Sequence, residues 1–153
     1  MVAAQEIYEK AVALDKAGDS AGAFKWMLLS AQQGSINGQY AVGLWYGQGH
    51  GTEKNILESF RWLARAVKQG HGGADAFWEV QRDDVVYGAV ELLYQSNDMK
   101  EAFTLCHRLA LKGYAPAQFM LGHMLSNGKG VAVHKKPALK WYLKAAEQGD
   151  VSA

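Results

Sequence analysis

One short pattern recurs four times along the chain, and it limits the fold more than any other feature. The segments AQQG, VKQG, ALKG and AEQG end at Gly34, Gly70, Gly113 and Gly149, at intervals of 36, 43 and 36 residues. Eight residues before these glycines stand Trp26, Trp62, Leu105 and Trp141. Eleven before stand Ala23, Ser59, Ala102 and Ala138, and fifteen before stand Asp19, Asn55, Asp98 and His134. A period of this length marks stacked supersecondary units, none of which can bury its apolar face alone.

Each column has a physical reading. Asp or Asn at the head of the segment is a helix N-cap, whose side chain accepts from a free backbone N–H of the first turn. A small residue, a large apolar one three later, then Ser30, Ala66, Leu109 or Ala145 four further on, define one helical face. The small residue lets a neighbouring helix come close, and the closing glycine permits the left-handed turn that ends the helix. These segments are the second helices of four helix pairs. The first helices lie in QEIYEKAVALDKAG, NGQYAVGLWYG, VVYGAVELLYQ and APAQFMLGHMLSNG. Gly43 and Gly122 hold the same place in two of them. A glycine inside a helix costs about 1 kcal/mol relative to alanine, so both mark a close helix contact. The units run over about 1–34, 35–70, 71–113 and 114–149 within one domain, with 150–153 the start of a further unit or a tail.

The glycine-rich stretch YGQGHGTEKN has a counterpart in LSNGKGVAVH, residues 125–134. Both fall between the helices of one pair, where units one and three turn on a tight AGD or SND. A phosphate-binding loop would follow a buried strand and open a helix at its last glycine, and neither feature is here. The glycines belong to a structural turn. The stretch HGGADAFWEVQRDDV is extra, and the residues from Gly72 to Val85 are expected to extend the first helix of unit three or to add a short one before it. Phe77 and Trp78 are adjacent and cannot share a helical face, so one of them is an exposed contact candidate. The three tryptophans of the repeat column are expected in the core.

Composition excludes several classes. A net charge of +1 offers no electrostatic case for nucleic acid or anionic lipid, and 49% hydrophobic residues fit a folded chain. The N-terminal residues mix charge and apolar side chains at helical spacing, unlike a signal peptide or a membrane span, so the cytoplasm is the expected compartment. The single cysteine, Cys106, precludes an internal disulfide. No two of the five histidines are spaced four apart on one helix, and HExxH and CxxC are absent. Cys106 and His107 point about 100° apart, which reads as a half-buried thiol beside a surface imidazole. Asp83 and Asp84, near Glu79 and Arg82, read as a solvated face with local ion pairs. No catalytic residue, metal ligand or cofactor site is predicted.

The repeat resembles the Sel-1-like repeat, a relative of the tetratricopeptide repeat. Unit four carries its motif in Ala117, Leu121-Gly122, the turn Gly128 to Val131, Ala138, Trp141-Tyr142, Ala145-Ala146 and Gly149. Unit two carries it in Gly38, Val42-Gly43, Tyr46, Gly49, Gly51, Asn55, Trp62, Ala66 and Gly70. Units one and three look closer to the tetratricopeptide form, and in unit four His134 and Pro137 replace the usual Asp cap and Lys. The resemblance implies an all-α fold, a right-handed α/α solenoid of about four antiparallel helix pairs. It also implies a non-enzymatic adaptor or scaffold that holds a protein or peptide partner in a concave groove. An immunity or inhibitor protein that neutralises a toxic enzyme is the alternative, and a hydrolase is a weaker one. A membrane-complex scaffold is weaker too, for want of an export signal.

Aligning the first helices on their turns puts Tyr8, Tyr40, Tyr87 and Phe119 at one position, which faces the groove in the tetratricopeptide relatives. With Gln5, Asn37, Leu44, Asp84, Glu91 and His123 beside them, they form the expected partner-binding surface. The opposing reading is that these rings pack between repeats. Ala153 stands where a fifth first helix would begin, so the expectation is either a fragment of a longer array or an end face without a capping helix, through which the chain can self-associate.

Overall fold

The computed structural model describes residues 3–149, and among them it shows nine α-helices and no strand. These are α1 Ala4–Lys16, α2 Ser20–Gln32, α3 Ile36–Gln48, α4 Ile56–Lys68, α5 Gly72–Glu79, α6 Asp83–Gln95, α7 Met99–Leu111, α8 Ala115–Asn127 and α9 Lys135–Glu147. They fall into two compact units divided between Phe77 and Trp78. The described residues therefore have the all-α, helix-pair repeat fold that the sequence predicts. The expected start of a fifth unit at Ala153 lies outside them.

In the first unit α1 packs on α2, α2 on α3 and α3 on α4. Short connections between packed neighbours make these helix hairpins. Asp19 caps α2 by accepting from the Gly22 N–H at 2.9 Å, and Asn55 caps α4 by accepting from Glu58 at 3.1 Å. The core joins Ala11, Met27, Ala31, Val42 and Trp62. A Cβ on Gly43 would stand 2.7 Å from Leu63 Cγ, so α3 and α4 meet through the glycine as expected.

The second unit repeats the plan, with α6 on α7, α7 on α8 and α8 on α9. Val90, Leu93, Leu105, Leu121 and Met124 are wholly buried. A Cβ on Gly122 would stand 2.9 Å from the Tyr142 ring. Two details recur in both units. Gln39 donates to the Ala31 carbonyl and receives Gln69 at 2.6 Å, just as Gln118 donates to Ala110 and receives Gln148 at 2.6 Å. Gly51 and Gly130, at φ 72° and 77°, press on the backbone carbonyls of Ser20 and Met99 at the starts of α2 and α7. No side chain fits there, which is the physical role of the glycine-rich turns.

The extra stretch forms α5, a short helix before the first helix of unit three, as one of the two expected arrangements. Trp78 is the buried member of the aromatic pair and Phe77 is half-buried. Other expectations need correction. Of the three repeat tryptophans only Trp62 is buried, at 6% exposure, while Trp26 and Trp141 are half-buried. Lys10 Nζ lies 4.1 Å over the Trp26 ring and Lys144 Nζ 4.6 Å over Trp141. Arg65 lies likewise over the buried Trp62 ring at 4.7 Å, so a covering cation accompanies all three rings and does not set their burial. Cys106 is fully rather than half buried, because its Sγ reaches across to the Ala117 carbonyl at 3.2 Å.

Candidate functional site

The four aromatic residues of the first helices are all half-buried, and each is fixed by a particular neighbour. In the first unit Tyr8, on α1, packs against the core that joins Ala11, Met27 and Val42. Tyr40, on α3, stacks on His71 with centroids 4.3 Å apart and planes 21° from parallel. His71 Nδ1 also accepts from the Ala74 N–H at 3.2 Å, so one imidazole covers the ring and caps α5. Leu44, a turn along α3, helps to line a mostly apolar cleft of about 260 Å³ with Gly47, Gln48, Ile56, Ser59, Phe60 and Phe77. Gln5 and Asn37 are exposed.

The second unit brings more of the predicted residues together. Tyr87, on α6, meets Tyr114 with centroids 5.7 Å apart, and Tyr114 is the N-cap residue of α8. The Tyr114 phenol is pushed above its ordinary range, first by burial and then by the charges of Asp84, Asp83 and Glu91. Tyr114 thus lies against Tyr87 and in the field of Asp84, Asp83 and Glu91. Asp84 is exposed and held by Arg82 at 2.8 Å, which draws its carboxyl below the usual range. Asp83 pairs with Lys112 at 3.0 Å and Glu79 with Arg108 at 2.8 Å, so the acidic run is tied to α7. Phe119, on α8, packs against Tyr142 at 5.3 Å, and burial raises the Tyr142 phenol. His123 Nε2 lies 3.1 Å from the Tyr94 hydroxyl, and Asn127 donates to its Nδ1 at 3.2 Å.

His71 and Tyr114 are the residues that sequence reasoning missed, although a signal was present. Each directly follows a closing glycine, as does Ser35, and this column stands at the start of the next helix, α3, α5 or α8. Ser35 caps α3 through its hydroxyl, which accepts from the Gly38 N–H at 3.0 Å. Where the residue in this column carries a ring, as His71 and Tyr114 do, it lies against the first-helix ring of the preceding pair.

The nucleophile of greatest intrinsic reactivity, Cys106, is sealed from solvent, and burial pushes its thiol up to about 12. Among the described residues no group of three His, Cys, Asp or Glu is placed to hold a metal ion. No helix among them is long and apolar enough to cross a membrane.

Paired helices, repeated caps and half-covered rings define an α/α repeat protein. The Sel1 repeat model matches residues 15–35, 36–71 and 115–150, and the chain belongs to the Sel1 repeat family. Among curated proteins it is 32% identical over 124 residues to chitin synthase regulatory factor 3 of Schizosaccharomyces pombe, across 78% of this chain and 12% of that protein. It is 28% identical over 131 residues to the exopolysaccharide production negative regulator of Rhizobium meliloti, across 81% of this chain and 49% of that one. The chain thus spans half or less of the length of these relatives. A solved Sel1 repeat protein from Oxalobacter formigenes is 22% identical with a TM-score of 0.48, over 97% of this chain and 72% of that one.

Proposed function

We propose that this chain is a non-enzymatic adaptor that holds a protein or peptide segment against its first helices. Sel1 repeat proteins are in general protein-interaction scaffolds, and the two curated relatives are named as regulators. The observation that carries the reading is the Tyr87–Tyr114 pair at 5.7 Å with Asp84 and Glu91 exposed on the same helix as Tyr87. Rings already held by a neighbour lose little freedom when a partner lands on them, and tyrosine offers both apolar area and a hydroxyl. The carboxylates beside the pair favour a segment carrying Lys or Arg, which can lie over a ring face while meeting a negative charge. Tyr8 and Tyr40, flanked by Gln5 and Asn37, present neutral polar contacts in the first unit. Leu44 adds to the contacts proposed in the first unit, and Phe119 and His123 to those in the second.

A peptide-library selection tests this reading. Selected segments should be rich in Lys or Arg and should bind Tyr87→Ala roughly tenfold or more weakly than the parent, the loss expected of an interface anchor. Measurable turnover of ester, peptide or nucleotide substrates would overturn it.

A further inference from the structure

Glu91 stands between two rings of its own helix that the next first helix already holds. Tyr87, one turn before it, meets Tyr114 with centroids 5.7 Å apart. Tyr94, one turn after it, places its hydroxyl 3.1 Å from His123 Nε2. Residues 87, 91 and 94 share one face of α6, while Tyr114 caps α8 and His123 lies within it. Both helices belong to the second unit, and Glu91 is exposed with α8 in place beside it.

The fold gives this carboxylate nothing to hold. Asp84 is paired with Arg82 at 2.8 and 3.1 Å and Asp83 with Lys112 at 3.0 Å. Among the described residues Glu91 makes no ion pair and no side-chain hydrogen bond. Counted from the aromatic position, it takes the place of Val12 in α1, which packs half-buried on the core of the first unit. An apolar side chain serves the fold there, so packing does not require the charge. Neither α6 nor α8 contains a lysine or an arginine, and the strip between them is negative. The Tyr114 phenol registers this, being raised first by burial and then by Asp84, Asp83 and Glu91.

We propose that Glu91 selects a single arginine of the bound segment, its guanidinium pairing with both carboxylate oxygens and lying flat on Tyr87 or Tyr94. This rests on the adaptor reading and narrows its basic residue from Lys or Arg to Arg. An exposed carboxylate gains little from an ammonium, which stays hydrated. A planar guanidinium makes two parallel hydrogen bonds and stacks on a ring at the same time. The rings cost little to order, because Tyr114 and His123 already hold them. A lone carboxylate is a poor site for a divalent cation, which takes several oxygen ligands.

The test titrates three blocked tripeptides into the isotopically labelled whole protein and follows them by NMR at about 150 mM salt. Each is Ac-Ala-Xaa-Ala-amide, with arginine, lysine or citrulline in the middle; citrulline keeps the arginine shape without the charge. The arginine peptide should bind at least roughly tenfold tighter than either of the others, with shifts centred on Tyr87, Glu91 and Tyr94. Glu91→Gln should lose roughly tenfold for arginine, bring it level with lysine and leave the melting temperature unchanged. Asp84→Asn should lose less. Equal binding of arginine and lysine, no shifts with arginine, or a Glu91→Gln protein that binds like the parent would overturn the proposal. So would the same shifts on adding magnesium or calcium chloride. If a library-selected segment still binds the parent and fails on Tyr87→Ala, only the choice of arginine falls. If no segment binds either, the adaptor reading falls with it.

Discussion

Gln69 donates its side-chain amide to the Gln39 carboxamide oxygen at 2.6 Å, and Gln39 passes a hydrogen bond on to the Ala31 carbonyl. Gln148, Gln118 and Ala110 repeat the relay in the second unit. The middle glutamine is buried in both cases, at 6% and 5% exposure, and the outer one is exposed. Replacing Gln118 by leucine removes the donor to Ala110 and should cost about 1–3 kcal/mol. Gln148→Ala should cost less than about 1 kcal/mol, since water takes over its role. Urea denaturation of the two variants measures both values.

Trp62 should be the most sensitive of the repeat tryptophans. Its indole N–H has no hydrogen-bond partner among the described residues, so its contribution is packing together with the Arg65 guanidinium 4.7 Å over its ring. Truncation to alanine should cost about 3–5 kcal/mol, a large share of a small domain's stability. Trp26→Ala and Trp141→Ala, which lose half-covered rings, should each cost well under that figure in the same thermal melts.

These differences mark where sequence reasoning reached and where it stopped. The spacing of Gly34, Gly70, Gly113 and Gly149 was enough to place the second helices, because a closing glycine and a capping Asp or Asn are local requirements. Gly43 and Gly122 were legible for a similar reason, since only a close helix contact compensates for their cost. Burial of Trp26 and Trp141 was not legible. It depends on how much of each ring neighbouring elements cover, which the period of its own helix does not encode. The alignment found Tyr87, yet it passed over Tyr114, because a capping residue lies outside the helix whose periodicity was being counted.

Gly130→Ala should be strongly destabilising for a residue in an exposed turn. It combines a left-handed φ of 77° with a methyl group driven into the Met99 carbonyl, so the turn must move off α7. The left-handed backbone alone costs about 1–2 kcal/mol, and the displaced turn adds to it. Gly113→Ala keeps the strain, at φ 96°, without the clash and should fall at the lower figure. Melting temperatures of the pair separate the two contributions.

Cys106 makes stability depend on alkaline pH. Its thiol titrates at about 12 when folded against an ordinary 9.0, so the unfolded chain releases this proton first. The contribution is intact below pH 9 and declines as pH rises towards 12. At pH 10.5 it should have removed about 2 kcal/mol. Cys106→Ala lacks this slope, so the stability gap between parent and variant should narrow or reverse between pH 8 and 10.5 in urea titrations. Native protein should also resist thiol reagents at neutral pH, and react only on unfolding.

The adaptor account rests on the first-helix rings being a binding surface as well as a packed one, and one paired measurement decides this. A peptide selected on the parent is titrated against Tyr40→Ala and Tyr87→Ala, and the thermal stability of each variant is compared with that of Trp62→Ala. The account predicts affinity losses of about 1–3 kcal/mol for at least one tyrosine variant, with melting temperatures far above that of Trp62→Ala. Tyrosine variants that melt as low as Trp62→Ala, with affinity falling only as the fold is lost, would contradict it.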